Sequence, residues 1–400
     1  MPPINDNLIL RHWNLLDEFS GLLGKAELGR PSPSKRQSLA RGGPKRLLTE
    51  HDYLKSFLFA QFNPVIDSMR GLCAASNLDK VQESVCTRPI SLGSFSEAQH
   101  VFNETLVERV FTDLLKKDPD VFNGPGSRHA RALLIDSTVL RAVPRMGWAE
   151  WRHQGKTQRA VRLHLKFHVL AGEPAGVIIS EGRKCERVAF AQMLKPGEFY
   201  VGDRNYGRDY KLLKRMDELG CGYIFRLCEG AHSEVLESFP ISEEDRAAGV
   251  VSDCLVRLGK RSESHYGPVR LVRIERESMD EPLLLLTNRL DPEDYSAALV
   301  GELYRSRWNI EMFFRWFKCV LGRPDKWHWM AESEQGVAIQ IYCALIAALL
   351  LARRFGRLPT KRLMELLRFH QMGMVSAGEL EAAVVAMAAS SAAKAKTKKV

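Results

Sequence analysis

The chain has 400 residues, 45% of them apolar, with a formal net charge of +10. That length and apolar share support a core spread over two or three domains and exclude a disordered or fibrous chain, while the cationic surplus points to a polyanionic partner, nucleic acid first. The eight cysteines form no C-x-x-C pair and have no matching histidine pattern, which excludes a zinc finger or disulfide framework and implies reduced thiols and a cytoplasmic setting.

Asp6, Arg11, Asp17 and Glu18 interrupt any apolar run at the start, so no signal peptide is expected. The stretch "GRPSPSKRQSLARGGPKR", Gly29 to Arg46, holds six cations and no acid. It suits either a phosphate-contacting arm or a solvated linker. From Thr49 to Lys117 the pattern is helical, with Ser94 or Ser96 as N-cap before an apolar stripe of Phe102, Leu106, Val110 and Leu114. Residues 1–126 are therefore expected to form a mostly helical N-terminal region, closed by the Pro- and Gly-punctuated boundary Asp118 to His129.

Beyond that boundary, short apolar runs alternate with amphipathic segments. Strands are expected over Ala132 to Val143, Ala160 to Leu170 and Ala175 to Arg183, followed by a helix (Glu186 to Leu194) and a strand (Glu198 to Tyr206). A second helix (Asp209 to Leu219) and a strand (Cys221 to Cys228) complete the order. The order βββαβαβ is the ribonuclease H-like topology, an α/β fold on a mixed sheet. A β-rich insertion is expected over about 229–281, then a strand at Pro282 to Asn288. The catalytic region would span 127–330, and a C-terminal helical region 331–400 would end in the basic tail "AAKAKTKKV". Within that last region "IQIYCALIAALLLA", Ile339 to Ala352, is too short to cross a bilayer and reads as a buried helix, so no membrane association is expected.

Two carboxylates stand out in this arrangement. Asp136 lies mid-strand behind Leu133, Leu134 and Ile135, where burying an acid is costly. Asp203 ends the fourth strand in "YVGDRNYG", and the first and fourth strands are neighbours in this topology. Like charges that close repel unless a cation lies between them. Two aspartates and a glutamate form the hard, incomplete oxygen set that Mg²⁺ prefers. Two such ions about 4 Å apart drive in-line phosphoryl transfer.

The glutamate comes from "YRSRWNIEMFFRWFK", expected to lie on one continuous helix with Ile310, Phe313, Phe314 and Phe317 facing the core and Gly322 and Pro324 ending it. At about 100° per residue, Tyr304, Arg307, Glu311 and Lys318 share one face within roughly 60° of arc. A carboxylate held among cations suits a phosphate or metal site, and equally an exposed salt-bridge stripe.

The spacing Tyr304-x₂-Arg307-x₃-Glu311-x₆-Lys318, together with "IDST" and "GDRNYG", resembles the Tyr-Arg-Glu-Lys signature and the two Asp motifs of the DDE transposases of bacterial insertion sequences, specifically the "insertion sequence four" family. The resemblance covers about Ala132 to Gly322. It implies a catalytic, metal-holding triad of Asp136, Asp203 and Glu311 with two Mg²⁺ ions, Mn²⁺ substituting. It also implies DNA contacts from Tyr304, Arg307 and Lys318, to which the neighbouring Arg204 and Arg315 are added. The implied partners are double-stranded DNA, at the element's ends and at the target, and a second copy of the chain on paired ends. The implied activity is cleavage at those ends and joining of 3′-hydroxyls to target DNA, in a bacterial cytoplasm at the nucleoid. Some relatives hold a flipped base with a Trp from the insertion; Glu229 to Leu290 contains none, leaving Phe239 or Tyr266 to stack in its place.

Other candidates are His164, Lys166 and His168 alternating along one strand, Trp148 and Trp151 among Arg145, Arg152 and Lys156, and Trp327 with Trp329. Each fits an ordinary structural role at least as well as a functional one. Two competing functions remain. One is a catalytically silent or domesticated DNA-binding descendant of a transposase, against which the intact triad argues. The other is a phosphatase of the haloacid dehalogenase type, against which Thr138 argues by standing where its second Asp belongs.

Overall fold

The structure, a computed structural model, describes residues 15–28, 48–63, 65–116, 132–153, 155–169, 172–228, 230–260, 266–276, 281–318, 329–355 and 358–386. The arm at 29–46, the basic tail, Trp327 and the side chains of Trp151 and Arg152 lie outside the described residues. The chain divides into two compact units. One comprises 1–117, 141–148 and 316–400; the other comprises 118–140 and 149–315. The N- and C-terminal helical regions, kept apart in the sequence reading, thus share one unit.

The helical unit begins with α1 (Leu15–Leu28), α2 (Glu50–Phe62), α3 (Met69–Ala75), α4 (Asp79–Ser84), α5 (Leu92–Val101) and α6 (Thr105–Leu115). Thr49 caps α2, its hydroxyl accepting from Asp52 N at 3.1 Å. The long helix expected through Phe102 is two helices. Ser91, not Ser94 or Ser96, caps α5, and Phe102 leaves the helix in an extended conformation. Asn103 Oδ1 then accepts from Thr105 N at 3.2 Å where α6 begins. Short polar side chains that offer the backbone such a partner compete with helix continuation. Leu106, Val110 and Leu114 remain the buried stripe of α6.

The second unit holds β1 (Ala132–Arg141), β2 (Glu150–His153), β3 (Lys156–His168), β4 (Glu173–Glu181), α7 (Glu186–Met193), β5 (Phe199–Gly202), α8 (Arg204–Gly207), α9 (Tyr210–Glu218) and β6 (Gly222–Arg226). The expected fourth strand stops early, at Gly202, because Asp203 turns the chain into α8. A short strand not foreseen, β2, pairs antiparallel with β3. Then follow β7 (Ser233–Ser238), α10 (Glu243–Ala247), β8 (Val250–Leu258), β9 (Tyr266–Ile274), β10 (Leu283–Thr287), α11 (Ala297–Arg305) and α12 (Trp308–Trp316).

One ten-stranded mixed sheet runs β2-β3-β1-β5-β6-β10-β9-β8-β7, with β4 also on β3. Strands β1, β5 and β6 are parallel neighbours. The insertion is not a separate body: β10 pairs antiparallel with both β6 and β9, so the inserted strands extend the main sheet. Arg270 on β9 and Asp253 on β8 are both buried and join through Nε–Oδ1 at 2.7 Å and Nη2–Oδ2 at 2.5 Å. Removing either partner would strand a buried charge. Phe190 of α7 packs edge-to-face on Tyr200 and Tyr206 at 5.0 and 5.2 Å, seating α7 against β5 and α8.

Two further helices of the helical unit are α13 (Glu334–Phe355) and α14 (Lys361–Gln371), and the described residues are again helical over 377–386. With 22 residues α13 is longer than the expected run and long and apolar enough to cross a bilayer, yet it is buried from Gly336 to Ala352 within its unit, against α2, α5 and α6. Its Cys343 thiol is fully buried, lies 3.8 Å from the Leu54 carbonyl oxygen, and is pushed far above the ordinary thiol range by burial.

Candidate active site

The parallel register ends at Leu134↔Val201, so Asp136, two residues on along β1, and Asp203, the residue just past the end of β5, both follow its last pair. The residues between them explain the local sequence. A Cβ on Gly202 would lie 2.9 Å from both Ile135 Cγ1 and Tyr206 Cδ2, and one on Gly207 would lie 2.6 Å from the Arg226 carbonyl oxygen. Both glycines of "GDRNYG" therefore permit close approach, the first of β5 to β1 and the second of α8 to β6. Asp203 caps α8, its Oδ1 accepting from Asn205 N at 2.8 Å, and Asp136 Oδ1 accepts from Ser137 N at 2.7 Å.

Electrostatics at the pair are unfavourable for ionisation. Burial, with the charges of Asp203 and Glu186 adding to it, raises the Asp136 carboxyl to about 7 against the pull of the Ser137 amide and Arg307. Burial and Glu186 also raise Asp203, which Asn205 N, Arg307 and Arg204 hold down. Two half-buried oxygen-donor groups that resist carrying like charges side by side suit a divalent cation.

The continuous helix expected from Tyr304 to Lys318 is broken. Ser306 Oγ turns back onto the Leu303 carbonyl oxygen at 2.5 Å, and Ser306 and Arg307 form a turn between α11 and α12. Three of the four signature residues nonetheless meet. Arg307 Nη2 donates to Glu311 Oε1 at 2.5 Å, Nη1 stands 3.8 Å from Asp136 Oδ2, and the guanidinium carbon lies 5.8 Å from the centre of the Tyr304 ring. Burial raises the Tyr304 hydroxyl, Arg307 and Arg226 opposing. Phe313 anchors α12 on the sheet at 5.1 Å from Phe167 of β3, fixing the turn that carries Glu311.

The aspartates are thus close enough for their charges to interact, whereas Glu311 is joined to Asp136 through Arg307. Among the described residues no group of three or more His, Cys, Asp or Glu side chains is arranged as a ready metal cage. Arg307 Nε is buried with no hydrogen-bond partner, although its neighbouring nitrogens are engaged. Arg204 and Arg315 are exposed, and Lys318 lies half-buried where α12 runs on as a π-helical turn, within the residues grouped with the helical unit.

Sequence reasoning missed Glu186, the first residue of α7. Its Oε1 accepts from Ser137 Oγ at 2.6 Å and from Arg162, and its Oε2 from Asn205 Nδ2 at 2.7 Å. An acid in a helix's first turn is so common that it carried no signal. Several other candidates settle into structural roles. Tyr266 is a buried residue bonded to Asp217 and Tyr223, each at 2.5 Å, and cannot stack on a base. Phe239 packs against Arg270. His164 pairs with Ser180 Oγ at 3.0 Å and Lys166 with Glu198 at 2.8 Å. Trp148 and Trp329 donate to the Glu332 and Arg141 carbonyl oxygens, both at 2.8 Å.

Residues 127–350 match the family described as "Transposase DDE domain". The chain belongs to that family. Among relatives of this chain, the Sinorhizobium fredii protein named "Putative transposase y4zB" is 26% identical over 60% of this chain and 66% of its own length. The Geobacillus stearothermophilus protein named "Probable transposase for insertion sequence element IS5377" is 25% identical over 54% of this chain and 55% of its own. The match therefore spans just under two thirds of the first relative and about half of the second. A piggyBac transposase chain from a synaptic complex with hairpin DNA overlaps 93% of this chain and 79% of its own, at 12% identity and a TM-score of 0.42, too low to bear on the fold.

Proposed function

We propose that this chain is the transposase of a bacterial insertion sequence of the "insertion sequence four" group, a ribonuclease H-like enzyme that cuts DNA at the ends of its element and joins the 3′-hydroxyls to target DNA. The observation that carries this reading is Asp136 on β1 with Asp203 just past the end of the neighbouring parallel β5, Asp136 being tied through Arg307 to Glu311. The strand order β4-β3-β1-β5-β6, with β5 and β6 parallel to β1, supports the ribonuclease H-like assignment. Membership of the DDE family favours this reading over the phosphatase alternative.

In this reading Asp136, Asp203 and Glu311 supply the oxygen ligands for two Mg²⁺ ions, with Mn²⁺ able to replace them. When bound, such ions activate the attacking oxygen and stabilise the leaving one in an in-line displacement. The chain's own residues position the DNA. Arg307 has a donor without a partner and sits between two of the carboxylates, so it holds the phosphate beside the cut. Tyr304 packs against the guanidinium and restricts its rotation. Lys318, Arg204 and Arg315 contribute further phosphate contacts, two copies act on paired ends, and the helical unit reads the ends.

Cleavage of DNA carrying the element's inverted repeats, with and without Mg²⁺, tests the reading. Asp136→Asn, Asp203→Asn and Glu311→Gln are each expected to abolish cleavage while leaving end-binding intact. Near-normal cutting by any of them, or cutting that survives thorough chelation, would overturn it.

A further inference from the structure

Hydrogen bonding between β1 and β5 ends just short of the two aspartates. The paired positions run from Ala132↔Phe199 to Leu134↔Val201 and stop, while β1 continues to Arg141 and β5 gives way to α8 after Gly202. The backbone ladder that elsewhere fixes strand spacing is therefore absent at Asp136 and Asp203, two groups that repel each other. Side chains must hold the gap.

Glu186 spans it. Ser137, bonded to Oε1, directly follows Asp136. Asn205, bonded to Oε2, stands two residues beyond Asp203, and its backbone N–H is the group that orients the Asp203 carboxylate. Arg162 of β3 completes the cluster, donating to Glu186, to Ser137 Oγ at 3.3 Å and to the Gly182 carbonyl oxygen at 3.0 Å. Both carboxylate oxygens of Glu186 are taken and its charge is balanced by Arg162. It is thus poorly placed to be a ligand and well placed to be a brace. The side chain comes from the start of α7, which Phe190 seats on Tyr200 and Tyr206, so the brace stands on packed core.

We propose that Glu186 is a positioning residue that fixes the separation and orientation of Asp136 and Asp203 by clamping Ser137 and Asn205, and so sets the affinity of the pair for a divalent cation. The proposal rests on the reading of the two aspartates as cation ligands. A brace differs from a mere source of negative potential in one testable way: its effect must vanish when either clamped partner is removed, although that removal alters no charge.

The experiment is calorimetric titration of Mn²⁺ into the full chain without DNA, on the parent and on Glu186→Gln, Ser137→Ala, Asn205→Ala and Asp203→Asn. Loss of groups that orient metal ligands lowers metal affinity by about 10- to 100-fold. Glu186→Gln is expected in that range. Asn205→Ala and Ser137→Ala should each show at least about a threefold loss, and Glu186→Gln with Asn205→Ala should be little weaker than Glu186→Gln alone, as expected for residues acting as one unit. Should Glu186→Gln fail to fold, the two alanine variants decide alone. Parent-like affinity in both alanine variants overturns the brace. Retention of Mn²⁺ by Asp203→Asn, or no binding by the parent, overturns instead the metal-site reading beneath it.

Discussion

Arg307 donates to Glu311 at 2.5 Å across the turn that separates α11 from α12. The pair is only partly buried, 20% and 32% exposed, so its direct contribution to folding is of the order of 1 kcal/mol. A contact of such modest stabilising value, with a neighbouring Nε left unpartnered, is better accounted for by what it presents to a ligand. Arg307→Ala should slow single-turnover cleavage by about 10- to 100-fold, the loss of one charge-assisted phosphate contact. Arg307→Lys should restore only part, because an ammonium lacks the two-pronged geometry. Rates within twofold of the parent in a folded Arg307→Ala chain would return the pair to a surface salt bridge.

Gly202→Ala should be destabilising out of proportion to its size. The added methyl would meet Ile135 and Tyr206 at 2.9 Å, both in well-packed surroundings. Overpacking of this kind costs about 1 to 3 kcal/mol. It would also push β5 away from β1 beside Asp203, so cleavage should fall further than the loss of folded chain explains. Melting and cleavage measured together check this; an unchanged melting temperature would show that the strands can part without cost.

His164 gives the fold an acid-sensitive point on β3, beside the ion pair of Arg162 and Glu186. Burial, with Arg162 beside it, lowers its pKa to about 4, while an unfolded chain binds the proton near 6.5. The folded state therefore holds fewer protons between those values. Stability should be unaffected by this group above about pH 6.5 and fall as pH drops toward 4, by at most roughly 3 kcal/mol. Urea midpoints at pH 7 and pH 5 should converge in His164→Gln; an unchanged difference would assign the acid sensitivity elsewhere.

Removing residues 1–117 should do more than abolish recognition of DNA ends. The buried face of α13 is covered by α2, α5 and α6, all of which would be lost. Most of a 22-residue apolar helix would become exposed, so the truncated chain should aggregate. A soluble, monodisperse product on size-exclusion chromatography would show that α13 finds other cover.

Much of the sheet was legible because β1 and β3 are long apolar or alternating runs, β10 is a short unbroken apolar one, and Asp136 is conspicuous inside the first. Strand β7 was not: its six residues are all exposed, so no burial pattern marks it. The turn at Ser306 and Arg307 was hidden for a different reason. It depends on one hydroxyl bonding back to Leu303, a choice that propensity leaves open. The spacing of Tyr304, Arg307 and Glu311 was legible all the same, and the three side chains come together in spite of the break. Glu186 was out of reach, because its partners Ser137, Arg162 and Asn205 come from distant parts of the chain and are collected only by the folded sheet.

Cys343 offers a native clock for the helical unit. Sealed within α13 beside the Leu54 carbonyl and held far from its thiolate form, it should ignore a thiol reagent for as long as α2 and α13 stay packed. Exposed Cys185, whose pKa is lowered although its slight burial opposes this, by backbone N–H groups and Arg187, lies in the sheet-bearing unit and should be labelled at once. The interval between the two labelling events measures how often the helical unit opens, with no probe added to the protein.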